Sequence, residues 1–268
     1  MEILGYVAAV LMGISLGMIG GGGSILTVPI LVYLFSINPI SATSYSLFIV
    51  GVTALVGGIF YYKKNEVDLK TGFIFAVPSF IGVYLVRVFL MPHLPDPVFQ
   101  FGHLVFSKPL LVMLVFSVMM IGASISMIRT KNSPTEKVKL NLTTRVFLIA
   151  IEGFIVGGVT GFVGAGGGFL IIPALVVLIG LPMKIAVGTS LVIIAAKSLI
   201  GFVGDLQRID HSNVNWTLLL VMTGIAISGL FVGTALSQKF SDKKLKIGFG
   251  YFVLVIGAFV LFDQLVRL

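Results

Sequence analysis

Apolar residues occur along this chain in long continuous runs that are separated by short polar stretches. Most of these runs approach the ~20 residues that an α-helix needs to cross a hydrocarbon core of ~30 Å. They lack the alternation of membrane β-barrel strands, which are segments of about 10 residues, and therefore predict helices. Ten apolar segments can be marked, over residues 3–19, 24–37, 40–62, 71–91, 108–129, 142–163, 168–181, 183–204, 214–236 and 246–263.

The composition agrees with this pattern. Of the 268 residues, 57% are hydrophobic and only 10% are charged, whereas a soluble domain carries roughly 25% charged residues. We therefore expect an all-α, polytopic membrane protein that has the lipid bilayer as a partner. The net charge of +8 comes from lysines and arginines in short loops, which set membrane topology, and it does not indicate a nucleic-acid partner.

Other function classes lose support from the same sequence. The chain has no cysteine, and His93, His103 and His211 are too scattered to form a metal-ligand pattern. No arrangement of nucleophile and base stands out, so we expect no cofactor, no bound metal and no enzyme. The start of the chain carries Glu2 and no basic stretch, which predicts an uncleaved first membrane helix.

The chain consists of two related halves. A shift of 144 residues aligns residues 13–58 with residues 157–202 without a gap, and it keeps glycines, a proline and a serine in register. The hydrophilic stretch RTKNSPTEKVKLN separates the two copies. We therefore divide the chain into a first transmembrane repeat (1–129), a polar cytoplasmic linker (130–141) and a second transmembrane repeat (142–268).

Each copy contains five apolar segments, and an odd number of crossings would invert the second copy relative to the first. The basic loops after segments three, five and nine can all lie in the cytoplasm without forcing any crossing, which leaves both termini outside. This favours an inverted repeat. A parallel arrangement stays open if segments two and seven, which are short, turn back without crossing.

Both halves carry the same glycine-rich motif. GMIGGGGSILTVPIL (17–31) and GFVGAGGGFLIIPAL (161–175) share the form G-x-x-G-x-G-G, and NPISATSYSL and LPMKIAVGTSL follow them. This pairing, which covers most of the chain, resembles the TauE/SafE sulfite-exporter family of bacterial membrane proteins. The resemblance implies a secondary transporter in the prokaryotic cytoplasmic (inner) membrane that exports sulfite or related small sulfur-containing anions.

The glycine-rich runs also suggest a binding site on physical grounds. A helix start leaves N–H groups without intrahelical partners and carries a partial positive charge, so it attracts anions. Two such starts, entered from opposite faces, would meet near the midplane. We expect backbone N–H groups there to bind the anion, from Gly20, Gly21, Gly22, Gly23, Ser24, Gly164, Ala165, Gly166, Gly167 and Gly168. Close packing between helices is the alternative role for these glycines. The runs do not fit a phosphate-binding P-loop, because the Gly-Lys-Ser/Thr that such a loop requires is missing.

Charged and hydroxyl side chains within the apolar segments complete the predicted site. Lys197 and Glu152 fall near the midplane, where an unpaired charge is unfavourable by at least ~2.5 kcal/mol. We expect Lys197 to be a counter-charge for the substrate, with a purely structural Lys197–Glu152 pair as the alternative and a proton-coupling role open for Glu152. Hydroxyls that begin segments three and eight can donate to anion oxygens, namely Ser46, Thr189 and Ser190.

Two further expectations concern charges near the membrane surface. Arg87 falls near the outer end of segment four, where its side chain is expected to extend to the interface. Asp205, Arg208 and Asp210 are expected to form an external polar loop. A passive anion channel and a non-transporting membrane assembly component remain alternative functions, and the sequence leaves a homo-oligomer open.

Overall fold

The computed structural model describes residues 2–101, 104–129, 142–163, 168–173, 175–176, 180–206, 214–237 and 242–266. Eight long helices make up most of this part of the chain, with three short ones between them. The long helices are α1 (Glu2–Ile19), α3 (Pro39–Lys63), α4 (Leu69–Leu85), α6 (Lys108–Arg129), α7 (Leu142–Val163), α9 (Met183–Leu206), α10 (Trp216–Ser237) and α11 (Asp242–Val266). The short helices are α2 (Thr27–Pro29), α5 (Met91–His93) and α8 (Gly168–Pro173).

Six helical stretches of the described residues are long and apolar enough to cross a membrane. They are Pro39–Lys63, Leu69–His93, Lys108–Ser126, Val146–Val163, Met183–Leu206 and Trp216–Ser237. Three shorter apolar helices accompany them, over Ile3–Ile19, Gly23–Leu34 and Gly250–Val266. Large apolar side chains such as Phe73, Phe147 and Phe262 remain exposed on the protein surface, as expected where a helix faces lipid rather than water.

The expectation of an exclusively helical protein needs one small correction. A two-stranded antiparallel hairpin, β1 (Phe99–Phe101) and β2 (Leu104–Phe106), lies in the connection before α6. Its strands read FQF and LVF, and aromatic and β-branched residues of this kind favour extended structure.

The second apolar segment is not a regular helix. It begins with a 3₁₀-helix (Gly21–Leu26), continues through α2 and ends in a π-helical turn (Ile30–Leu34). It therefore begins and ends three residues before the predicted segment, 24–37. The start of this segment packs against the C-terminal half of α1, because Gly23 faces the backbone of Met12 and Leu16. Its end reaches the beginning of α1, where the rings of Phe35 and Tyr6 lie 5.3 Å apart.

Helix α1 packs in parallel against α10 through glycines. Gly13 of α1 faces the backbone of Ala226, and Gly17, one turn later, faces the backbone of Leu230. A Cβ atom on either glycine would overlap a carbonyl oxygen of α10. The absence of side chains at these positions lets the two backbones touch, which is how small residues stabilise helix pairs in membranes.

Helices α4 and α7 form a second parallel pair of the same kind. Gly157 of α7 faces the backbone of Ser79, and Gly161 faces the backbone of Val83. Gly157 and Gly161 are the repeat equivalents of the two glycines on α1. The same spacing of glycines therefore produces the same packing in both halves.

Helices α3 and α9 cross at the centre of the protein in antiparallel directions. A Cβ atom on Gly57 of α3 would lie 3.1 Å from Cδ1 of Leu191, and one on Gly201 of α9 would lie 3.2 Å from Cδ1 of Leu47. Residue numbers thus rise along α3 while they fall along α9. Helices α6 and α11 also pack against each other.

We predict that Gly13→Val destabilises the protein by about 1–3 kcal/mol or more, because the added side chain must push α1 away from α10. Gly224→Val on α10 is the matched control, since a Cβ atom there meets nothing within 4 Å. Thermal unfolding of both variants in detergent should show a lower midpoint for Gly13→Val alone. Equal midpoints would contradict the close approach of the two helices.

Candidate functional site

The two glycine-rich segments meet in the structure. Gly21, at the start of the first segment, touches Gly168, at the start of α8, and a Cβ atom on either residue would overlap the Cα atom of the other. Gly20 has a φ angle of +70°, in the region that favours glycine. A Cβ atom on Gly20 would lie 2.9 Å from Oγ of Ser190 on α9. Four predicted site residues, namely Gly20, Gly21, Gly168 and Ser190, are therefore neighbours.

The remaining glycine-run residues are divided between the two segments. Gly22 and Gly23 continue the 3₁₀-helix that begins at Gly21. Gly164, Ala165, Gly166 and Gly167 lie outside the described residues.

Most of the predicted hydroxyls already have hydrogen-bond partners within the protein. Ser24 donates to the carbonyl oxygen of Gly21 at 2.7 Å, and Ser190 donates to that of Val187 at 2.8 Å. Thr189 accepts a hydrogen bond of 2.9 Å from the backbone N–H of Asp68 and so holds the turn between α3 and α4. Ser46 is different, because its hydroxyl is buried and has no hydrogen-bond partner among the described residues.

Lys197 is almost completely buried in α9, with 1% of its surface exposed. Its ammonium group donates to Oγ1 of Thr160 on α7 at 3.2 Å. No carboxylate among the described residues lies within ion-pair distance of it. An ammonium group inside a membrane protein without a carboxylate partner is energetically unfavourable. It is therefore a strong candidate for an anion contact.

The alternative Lys197–Glu152 ion pair is not present. Glu152 lies on α7, and one of its carboxylate oxygens is buried without a hydrogen-bond partner among the described residues. The reason is geometric, because Glu152 precedes Thr160 by eight residues, which is ~12 Å along the helix. Lys197 therefore reaches α7 at Thr160 and not at Glu152.

Arg87 and Asp205 form an ion pair that the sequence interpretation missed. The Nη1 atom of Arg87 lies 2.7 Å from Oδ2 of Asp205 and donates to Oγ1 of Thr43 at 3.2 Å. The hydroxyl of Ser44 donates to the same carboxylate oxygen. The cluster connects three elements: the π-helical turn Val86–Leu90 after α4, the end of α9 and the beginning of α3.

Two expectations about these charges were wrong. The Arg87 side chain is 4% exposed and does not extend to an interface. Asp205 belongs to the last turn of α9 and not to an external loop, while Arg208 and Asp210 lie outside the described residues. Pairing removes most of the penalty of burying each charge. The sequence feature that could have indicated this ion pair is that one arginine and one aspartate each lie at the edge of a different apolar segment.

The described residues include six helices that are long and apolar enough to cross a membrane, and charged side chains are buried between them. The protein is therefore an integral, multi-pass membrane protein. The family model described as "Sulfite exporter TauE/SafE" matches residues 6–260. The chain therefore belongs to the TauE/SafE family.

Similar proteins carry matching names. A "Probable membrane transporter protein" of Xylella fastidiosa (strain 9a5c) is 30% identical over 258 residues, which are 94% of this chain and 91% of that protein. The "Probable membrane transporter protein YunE" of Bacillus subtilis (strain 168) is 29% identical over 292 residues, which cover 97% of this chain and 98% of YunE. No solved structure was found to match the chain. Family and relatives together make this protein a membrane transporter.

We predict that Arg87→Met destabilises the protein by about 3–5 kcal/mol, because it leaves the carboxylate of Asp205 buried without its cation. The double variant Arg87→Met/Asp205→Leu should recover most of this loss. Thermal unfolding in detergent measures Arg87→Met, Asp205→Leu and the double variant, with exposed Lys70→Met as the control. If the effects of the two single substitutions simply add in the double variant, the two side chains are not energetically coupled.

Proposed function

We propose that this protein is a secondary transporter that exports sulfite or related small sulfur-containing anions, and that it binds them where the two glycine-rich segments meet. The contact between Gly21 and Gly168 is the observation that carries this proposal, because it joins the starts of two short segments, one from each half. The family description supplies the substrate class. The relatives are named as transporters without a substrate.

The chemistry of this centre suits an anion. Short helical segments that begin inside the protein present backbone N–H groups without intrahelical partners, and these groups donate to oxyanions. We propose that these donors come from Gly20 to Ser24 and from Gly164 to Gly168. Glycine at these positions allows an anion to approach the backbone closely. Lys197 and the free hydroxyl of Ser46 add a full positive charge and a further donor.

We propose further that the two halves form an inverted repeat. Gly57 and Gly201 are repeat equivalents, and so are Leu47 and Leu191, so the two central contacts are copies of each other. A two-fold axis along the helices would make α3 and α9 parallel, whereas an axis in the membrane plane makes them antiparallel. The observed antiparallel crossing therefore supports inversion, and inverted repeats provide access to one central site from alternating faces.

A second pair of contacts supports the same symmetry. Ser44 of α3 bonds Asp205 of α9. The repeat equivalents of these residues, Gly188 and Tyr61, also touch, because a Cβ atom on Gly188 would lie 2.9 Å from that of Tyr61. The polar contact, Ser44 with Asp205, lies near one end of the α3–α9 pair, and the uncharged contact, Gly188 with Tyr61, lies near the other end. We propose that the two ends correspond to the two faces of the membrane.

Inversion can be tested by labelling, because the chain has no native cysteine. Ser41 and Lys184 are exposed residues that begin α3 and α9, which are equivalent helices of the two halves. We expect a membrane-impermeant maleimide to label Ser41→Cys in intact cells and Lys184→Cys only after permeabilisation. Labelling of both from the same side would indicate a parallel repeat.

Transport itself is tested in proteoliposomes. We expect saturable uptake of sulfite that responds to counter-anions or to a proton gradient, with a sulfonate as a further substrate. Gly21→Ala should reduce uptake at least ~10-fold, because the added methyl group separates the two glycine-rich segments, whereas Gly224→Ala should behave as wild type. Flux that rises linearly with concentration would indicate a passive channel instead.

A binding measurement covers the case in which Gly21→Ala is unstable. A ligand that binds the folded protein raises its unfolding temperature, so sulfite should stabilise the wild-type protein in detergent. If no sulfur anion stabilises the wild-type protein in detergent, and none is taken up by proteoliposomes that contain it, the proposed function is wrong.

A further inference from the structure

The buried charges of this protein leave one positive charge without a matching carboxylate. Arg87 is compensated by Asp205 at 2.7 Å. Among the residues that the structure describes, the ammonium group of Lys197 has the neutral hydroxyl of Thr160 as its hydrogen-bond partner, and both residues are buried. The second glycine-rich segment, residues 161–175, contains no acidic side chain. The structure thus separates a neutral ion pair from an isolated cation.

The nearest carboxylates along the two helices are too distant to neutralise this cation. Asp205 follows Lys197 by eight residues on α9, and Glu152 precedes Thr160 by eight residues on α7. Each interval is ~12 Å of helix. Neither acid forms an ion pair with Lys197 in the described part of the chain. A bound anion would supply the negative charge that this ammonium group lacks among the described residues.

We infer that the transported anion carries one negative charge, and that the site discriminates against dianions. This inference rests on the proposed function and specifies its substrate class: hydrogensulfite or an alkyl sulfonate rather than sulfate. One ammonium group neutralises one negative charge. A second negative charge would enter the protein interior uncompensated, which is strongly unfavourable where water is scarce.

The other proposed donors carry no full charge. Hydroxyl groups such as those of Thr160 and Ser46 are neutral, and the starts of the glycine-rich segments contribute only a partial positive charge. They can bind oxygen atoms of either a monoanion or a dianion, and so they select for oxyanions without selecting for charge. Lys197 is therefore the residue that determines the charge of the substrate. Its repeat equivalent in the first half is Thr53, which bonds the carbonyl oxygen of Ile49 in its own helix.

The test compares two anions of similar shape and different charge. Methanesulfonate and sulfate are both tetrahedral at sulfur, but near neutral pH they carry one and two negative charges. Each is added as a competitor to sulfite uptake in proteoliposomes at one fixed pH and ionic strength. For the wild-type protein we expect half-inhibition by methanesulfonate at a concentration at least ~10-fold lower than for sulfate.

Two variants connect the selectivity to Lys197. Lys197→Arg keeps the charge and should keep the preference for methanesulfonate. Lys197→Met should lose the preference, and thermal unfolding checks that it is still folded. Lys70→Met removes an exposed lysine from the first turn of α4 and should behave as wild type.

The outcomes separate this inference from the proposed function. The inference is overturned if sulfate competes as well as methanesulfonate or better. It is also overturned if neither anion competes while sulfite is transported. Both results leave sulfite transport intact. A Lys197→Met protein that transports sulfite with unchanged preference would also overturn it. Failure of the wild-type protein to bind or move sulfite would instead overturn the proposed function.

Discussion

Close contact between helix backbones at glycine is the constraint on which the rest of this structure depends. At the α1–α10 and α4–α7 crossings, a glycine on one helix faces backbone atoms of the other, so that a single methyl group would overlap them. The hydrophobic effect contributes little to association between helices in lipid, and close packing of this kind takes its place. The two glycine-rich segments use the same property at Gly21 and Gly168, where backbone meets backbone at the centre of the protein.

This tight framework explains how the protein tolerates charge in its interior. The cluster of Arg87, Asp205 and Ser44 is satisfied internally, because three elements converge on it and supply both charges and a hydroxyl. Lys197 lies eight residues earlier on α9, and its partner among the described residues is Thr160. This contrast between a neutralised pair and a cation without a described carboxylate partner is the basis of our proposal that the pair holds helices together and Lys197 binds the anion.

We propose that the residues that differ between the two related halves give the protein its specific function. The glycines that set the helix crossings occur in both copies, whereas Lys197 and Glu152 replace Thr53 and Ala8. In our proposal, the duplicated glycine-rich starts form the central binding site of this membrane transporter. The charge that occurs in one copy would then give that site its preference for a particular kind of anion.

Much of the organisation was predictable from local patterns. The apolar runs predicted ten segments, of which the structure shows six as helices of membrane length among the described residues. The paired glycine-rich motifs predicted the family, which the family match confirms. The irregular course of residues 21–34 was predictable only in part: the glycines indicated a break, but the 3₁₀ and π turns arise from packing against α1. Local spacing determines which residues share a helix face.

Only the tertiary structure decided which faces meet. Arg87 lies 118 residues from Asp205 in the chain, and nothing in the pattern of either segment identifies the other as its neighbour. Lys197 was equally compatible with Glu152 and with an uncharged partner, until the packing of α7 against α4 placed Thr160 beside it. Sequence alone thus determined that the protein has many membrane helices, that its sequence is duplicated and that charges lie within its apolar segments. The partner of each charge was decided by helix packing. The distance between side chains on two helices depends on where the helices cross, and the glycine contacts in the folded protein set those crossings.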